Sequence, residues 1–259
     1  VVVNFLIANL ITIKKYHQLW IPFSVYGCLL LAGIIMLKLS LSVRSKPVKI
    51  ALICENMDAR KRWLPETADS LAAIFFDLNY KASRLKPELI IWSESAIPWN
   101  IAMDDDLITQ CLKITWPSGA SHIIGIFSPY EKDTSKRYNS AYYIEPDGAI
   151  TGRYDKVQLL SFLEKPFMKT KLPFFSESAH TDIVPGEKRQ LLKTPYGNAG
   201  MLICNEITAP IPYRSVLKKG ARFFIIMSND AWFEDTMVTL HHFYTVRLRA
   251  VEIRKDFAV

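Results

Sequence analysis

The chain is 259 residues long, 50% hydrophobic and 22% charged, with a formal net charge of +7. That length and apolar content exclude a disordered chain and leave room for a substantial core. The positive charge is scattered, without a dense basic stripe interleaved with aromatics, which argues against a nucleic-acid partner and for a basic face toward anionic lipid.

The first apolar run, VVVNFLIANLITI, is too short to span a bilayer alone and reads as the end of one span, followed by a turn at residues 14–18, KKYHQ. From Trp20 to Leu37 eighteen consecutive residues carry no charge. At ~1.5 Å of rise each they extend ~27 Å, close to the hydrocarbon thickness, so a transmembrane helix is expected at about 19–38. Because Lys14 and Lys15 stand between two apolar runs rather than before one, the segment does not read as a signal peptide. Residues 1–41 are therefore expected to be a membrane segment, 42–47 a linker and 48–259 a separate folded domain. Charge alone leaves the orientation open, since Lys14 and Lys15 flank one side and Lys38, Arg44 and Lys46 the other.

Beyond the linker, Val48–Asn56 is a β-branched run that predicts a buried strand, and Leu64–Ala82 has apolar residues near helical spacing, with Pro65 and Glu66 in its first turn. A second strand is predicted over Leu89–Trp92, ending just before Glu94. A helix follows over Asp104–Thr115, then a strand in SHIIGIFSPY. Two strands around Pro146-Asp147-Gly148 predict an antiparallel hairpin whose far end carries Lys156. After a Pro-rich loop over 161–185 come the strand of AGMLICNE with Cys204, a helix end closed by Gly220, the strand of ARFFIIMSNDAWF and a basic helix over His242–Arg254. This alternation predicts an α/β architecture, a sheet covered by helices with one antiparallel hairpin inserted.

Four cysteines, Cys28, Cys54, Cys111 and Cys204, lack C-x-x-C spacing and disulfide-scaffold density, and no zinc spacing occurs among the five histidines. His241 and His242 are expected on a partly exposed helical surface. Taken singly, Glu94, Lys156 and Cys204 have ordinary explanations: a turn carboxylate, a surface charge and a small buried hydrophobe. Together, at three strand ends, they have complementary chemistry. A thiol must lose its proton to attack, a carboxylate can take it, and an ammonium favours both the thiolate and the oxyanion that follows.

The order Glu94, Lys156, Cys204 resembles the nitrilase, or carbon–nitrogen hydrolase, superfamily, which implies a Glu-Lys-Cys triad on a four-layer αββα sandwich. Within it, LIIWSESAIP, YNSAYYIEPDGAITGRYDKVQLLSFLE and SNDAWFEDT with HHFYTVRLRAVEIRK are similar to segments of the apolipoprotein N-acyltransferases, over about residues 48–256. Two spans before such a domain fit that family, and the resemblance implies further membrane helices before and after this chain. Departures stand at Ser93, where the family has Pro, at Leu163 and Glu234, where it has Gly, and at Asn205, where it has an aromatic residue.

The resemblance implies that Cys204 takes an acyl chain from a membrane phospholipid as a thioester and passes it to the free amino group of a diacylglyceryl-cysteine lipoprotein. Glu94 would serve as base and then acid, and Lys156 would stabilise the oxyanion. Glu206 and Glu164 would orient Lys156 and shape its loop. It implies no cofactor and no metal, a monomer in the bacterial inner membrane, KKYHQ on the cytoplasmic side and the catalytic domain on the periplasmic side. Two rivals remain at this point: a membrane-tethered amidohydrolase of small C–N substrates, and a non-catalytic nitrilase-like module.

Overall fold

The structure, a computed structural model, describes residues 2–38, 46–57, 65–100, 105–161, 164–165, 182–233 and 236–259. It divides into two compact units, Val1–Pro47 and Val48–Val259.

In the first unit, α1 (Val2–Thr12) closes on Lys14, whose φ of 56° is left-handed, while Lys15 N–H donates back to the Leu10 carbonyl. A short 3-10 turn, Tyr16–Gln18, leads into α2 (Trp20–Lys38). Pro22 sits in the first turn of α2, where its missing N–H costs nothing. Over Tyr16–Met36 the mean hydropathy is 2.0, and among the described residues this is the one helix long and apolar enough, by length and composition, to cross a membrane.

The second unit holds two sheets. In the first, β1 (Ile50–Ile53), β2 (Leu89–Trp92) and β4 (Ser121–Pro129) run parallel, and β5 (Arg137–Ile144) and β6 (Ile150–Asp155) continue antiparallel. β3 (Ile97–Asn100) pairs with the same edge of β4 beyond the end of β2. In the second sheet, β10 (Phe257–Ala258), β9 (Phe223–Met227) and β8 (Gly197–Ile203) are parallel and β7 (Leu191–Thr194) pairs antiparallel with β8.

Alternation along the strands sorts the core into layers. Ile90 and Trp92 face α3 (Ala68–Arg84) and α4 (Asp106–Thr115), where Leu71, Phe75, Ile108 and Cys111 are fully buried. Phe75 stacks on Trp92 with ring centroids 4.6 Å apart. Leu89 and Ile91 face the other way and pack with Met201, Ile203, Ile225 and Met227 of the second sheet. The outer face of that sheet, through Leu202, Phe224 and Ile226, packs with Tyr213 and Val216 of α5 (Pro210–Lys218) and Val246 of α6 (Val238–Ile253). The result is the expected helix, sheet, sheet, helix order, each fully buried aliphatic or aromatic side chain contributing about 1.5–3 kcal/mol.

Element bounds differ from expectation at the ends. Pro65–Thr67 forms a 3-10 turn, and α3 itself begins at Ala68 and runs on to Arg84. α4 starts at Asp106 because the Asp105 carboxylate caps it, accepting the Leu107 N–H at 2.9 Å. α6 begins one turn before His242. Leu64, Leu163 and Glu234 lie outside the described residues.

Candidate active site

Glu94 sits where the chain leaves the edge of β4 after β2 and before rejoining it as β3. The backbone turns out at Ser95, with φ 46°, and returns through the Ala96 N–H to the Gly125 carbonyl. Gly125 faces this break: a Cβ there would meet the Ser93 carbonyl oxygen at 2.4 Å and Met227 Cε at 2.6 Å. Ser93 gives its hydroxyl to the buried Glu55 carboxylate at 2.7 Å, a bond that the proline of the resembled family would not make. The Glu94 carboxylate is itself buried and tied on both oxygens. Oε1 accepts from Asn139 Nδ2 at 2.8 Å and Lys156 Nζ at 3.2 Å, and Oε2 accepts the Asn229 N–H at 3.0 Å.

Lys156 follows the last residue of β6, and its depth comes from the hairpin. Ser140 pairs with Asp155, and the Lys156 N–H donates to the Asn139 carbonyl. The side chain is 1% exposed and its ammonium meets a second carboxylate, Glu164 Oε1, at 2.8 Å. Glu164 is buried too, and its other oxygen accepts the Leu160 N–H at 2.6 Å, closing the loop that follows Lys156. A solvated turn carboxylate would do neither.

Cys204 ends β8 at an elbow. Its φ of 52° is left-handed, uncommon for a residue with a side chain, and a 3-10 turn, Cys204–Ile207, begins there. Glu206 holds the elbow to the Lys156 segment. Fully buried, it accepts the Ile203 N–H at 3.0 Å, the Tyr154 hydroxyl at 2.7 Å and the N–H groups of Val157 and Gln158 at 3.1 and 2.9 Å. It therefore bears on Lys156 from both sides, through the Tyr154 hydroxyl before it and the backbone N–H groups of Val157 and Gln158 after it. Asn205, beside the nucleophile, is buried and its Oδ1 has no hydrogen-bond partner among the described residues.

The charges are coupled. Burial opposes the Lys156 charge, but Glu94, Cys204 and Glu164 outweigh it and hold the ammonium above its ordinary range. Burial and then Glu94 push the Cys204 thiol up, with Lys156 and the neighbouring Ser228 hydroxyl pulling the other way without prevailing. The resting sulfur is thus a neutral thiol whose proton must leave as its new bond forms. Burial also raises the Glu206 carboxyl, against the donors that surround it.

His241 and His242 both lie on α6, the first exposed and the second partly covered: the His242 side chain is 12% exposed, and its Nδ1 meets Asp230 Oδ1 at 3.0 Å. The same Asp230 oxygen accepts the Ser228 hydroxyl at 2.6 Å, and reactive atoms of Cys204, Asp230 and His242 all fall within 4.8 Å of one another. The partners lie twelve residues apart, Asp230 on the turn after β9 and His242 on α6, a pairing with no sequence periodicity to announce it.

The profile of the carbon–nitrogen hydrolase family matches residues 9–255. Among curated proteins, the apolipoprotein N-acyltransferase of Geobacter metallireducens is 32% identical over 214 residues, 80% of this chain and 41% of that protein. That of Borreliella burgdorferi is 27% identical over 230 residues, 84% of this chain and 44% of its own. The chain thus spans about two fifths of the length of these relatives. Among solved structures, an amidase from Nesterenkonia sp. aligns with a TM-score of 0.58 at 17% identity, over 84% of this chain and 79% of its own. Saccharomyces cerevisiae Nit3, a member of branch 10 of the nitrilase superfamily, aligns with 0.56 at 20% identity, over 72% and 67%.

Proposed function

This chain belongs to the carbon–nitrogen hydrolase family, and from that premise we propose that it is the catalytic part of an apolipoprotein N-acyltransferase. It would move an acyl chain from a membrane phospholipid through a Cys204 thioester to the amino group of a diacylglyceryl-cysteine lipoprotein. The reading is supported by the names of the curated relatives. The observation that carries it is the buried Glu94–Lys156 pair held in the field of Cys204.

In the first half of the reaction, Glu94 takes the thiol proton as Cys204 Sγ attacks the ester carbonyl. The developing oxyanion is stabilised by Lys156 and nearby N–H groups, a contribution of about 3 kcal/mol or more per donor in comparable sites. The C–O bond then breaks, Glu94 returns the proton to the departing lysophospholipid oxygen, and the acyl group remains on sulfur. Glu164 keeps the ammonium charged and in place while this happens, and Glu206 fixes the elbow against the Lys156 loop. In the second half the lipoprotein amine attacks the thioester, the C–S bond breaks, one proton of the amine ends on Cys204 Sγ and an amide forms.

Both substrates are bilayer lipids, so a tether suits the chemistry, and α2 would supply it by spanning the inner membrane. A water-poor pocket would let aminolysis outrun hydrolysis. The catalytic unit would face the periplasm and act as a monomer. Incubation of the full chain with phospholipid, followed by intact-mass analysis, tests the reading. An acyl adduct on Cys204 that a diacylated lipopeptide discharges is expected, and turnover of small amides without such an adduct would replace it with an amidohydrolase.

A further inference from the structure

The acylation half has a base in Glu94, but the aminolysis half must also move a proton, from the attacking nitrogen to the departing sulfur. Glu94 is held on both oxygens by three donors, Asn139, Lys156 and the Asn229 N–H.

We infer that His242, oriented by Asp230, is the general base for the acceptor amine. This rests on the acyl-transfer reading above. Asp230 is an acceptor at this point, taking the Ser228 hydroxyl and facing His242 Nδ1 at 3.0 Å, and its carboxyl is held below its ordinary range, burial opposing and the His242 and Ser228 hydrogen bonds prevailing. Nδ1 must therefore carry the hydrogen, which leaves Nε2 of the neutral imidazole as a lone-pair acceptor. Among the described residues Nε2 has no hydrogen-bond partner. The arrangement is that of a base aligned by a third group.

Distance supports the role. A ring nitrogen of His242 lies within 4.8 Å of Cys204 Sγ. An amine poised about 3–3.5 Å from the thioester carbon, itself bonded to that sulfur, stands beside the imidazole, where a ring base has a reach of ~2.6–3.2 Å. As the N–C bond forms, the nitrogen gives one proton to His242. When the C–S bond breaks, the imidazolium returns that proton to Sγ. The books close with an amide, a thiol, neutral His242 and Glu94 still ionised beside Lys156.

The test separates the two halves in the full chain in detergent. Adduct formation from phospholipid is timed by intact mass, and the adduct is then chased with a synthetic S-diacylglyceryl-cysteinyl peptide bearing a free amino group. His242→Gln retains a group able to bond Asp230 but cannot accept the proton at neutral pH. It should load at close to the unmodified rate and discharge to the peptide about 10²-fold or more slowly, the usual worth of a general base. Asp230→Asn should slow the same step by about tenfold. Discharge of His242→Gln at the unmodified rate, or equal slowing of loading and discharge, would overturn the inference, the second outcome marking a merely structural role. If the unmodified adduct is not discharged by the lipopeptide, the acyl-transfer reading itself fails. The role of His242 is then decided by loading with a p-nitrophenyl ester and chasing with glycine methyl ester: a slowed chase in His242→Gln upholds it and an unchanged chase refutes it.

Discussion

Lys156 lies closer to Glu164 than to Glu94, 2.8 Å against 3.2 Å, so one buried ammonium is shared by two carboxylates and the nearer of them comes from the loop. Glu164→Gln should leave the charge with Glu94 alone, drawing Lys156 toward it and off the oxyanion position. Adduct formation should slow by about 10–10³-fold, the scale on which oxyanion stabilisers act. Glu164→Ala, which also orphans the Leu160 N–H, should in addition lower stability by about 1–3 kcal/mol in denaturant unfolding.

The triad should behave as a unit. Cys204→Ala should give no adduct, and Cys204→Ser almost none, since an alcohol is a far weaker acid than a thiol. Lys156→Ala and Glu94→Gln should each load slowly, and the double variant should be scarcely worse than the poorer single one. Intact-mass time courses check all of these, and a normal adduct in Cys204→Ala would remove the nucleophile assignment.

Gly125→Ala should injure the site from behind. Its added Cβ would stand 2.4 Å from the Ser93 carbonyl and 3.1 Å from Glu94 Cα, so the strand break carrying Glu94 must shift. A stability loss of about 1–3 kcal/mol is expected by thermal unfolding, with a larger loss of loading than of lipid binding. Gly148→Ala, at the hairpin turn with open space around it but a φ of 89°, should cost stability through backbone strain and leave loading intact.

His122 supplies a pH dependence unconnected to chemistry. It is 1% exposed, its Nε2 meets Thr115 Oγ1 at 2.7 Å, and Thr115 already donates to backbone carbonyls, so Nε2 carries the hydrogen. Nδ1 has no acceptor for a second proton among the described residues, and burial lowers the group from 6.5 to about 4. The unfolded chain takes that proton near 6.5 while the fold resists it to about 4. This contribution to stability is therefore complete above pH 6.5 and lost as pH falls from 6.5 toward 4, by about 3 kcal/mol in all. Denaturant midpoints at pH 7.5 and 4.5 should differ by visibly less in His122→Gln.

Much of this architecture is legible in the residues because buried strands here are short β-branched runs bounded by turns: Leu89–Trp92, the hairpin around Gly148, and the run into Cys204. Their ends locate Glu94, Lys156 and Cys204. The two-sheet arrangement is not readable from periodicity, since a strand such as Leu-Ile-Ile-Trp is apolar on both faces and says nothing of which face meets a helix. β3 contains Pro98 and reads as loop, and β7 and β10 are edge strands of four and two residues. Most of the Glu206 partners are backbone N–H groups, which no side-chain pattern reveals. His242 was hidden by the opposite problem, a helical position whose partner lies on a separate turn.

The sheet that carries Glu94 and Lys156 is built from residues 50–155, and the one that carries Cys204 from 191–258. No half of the chain owns the chemistry; it exists only where the two sheets are docked face to face. Acyl loading is in this sense a gauge of tertiary registration. In rising denaturant it should vanish together with near-ultraviolet circular dichroism and ahead of any far-ultraviolet change, because a compact state that keeps both sheets but lets them slide has every required residue and no active site.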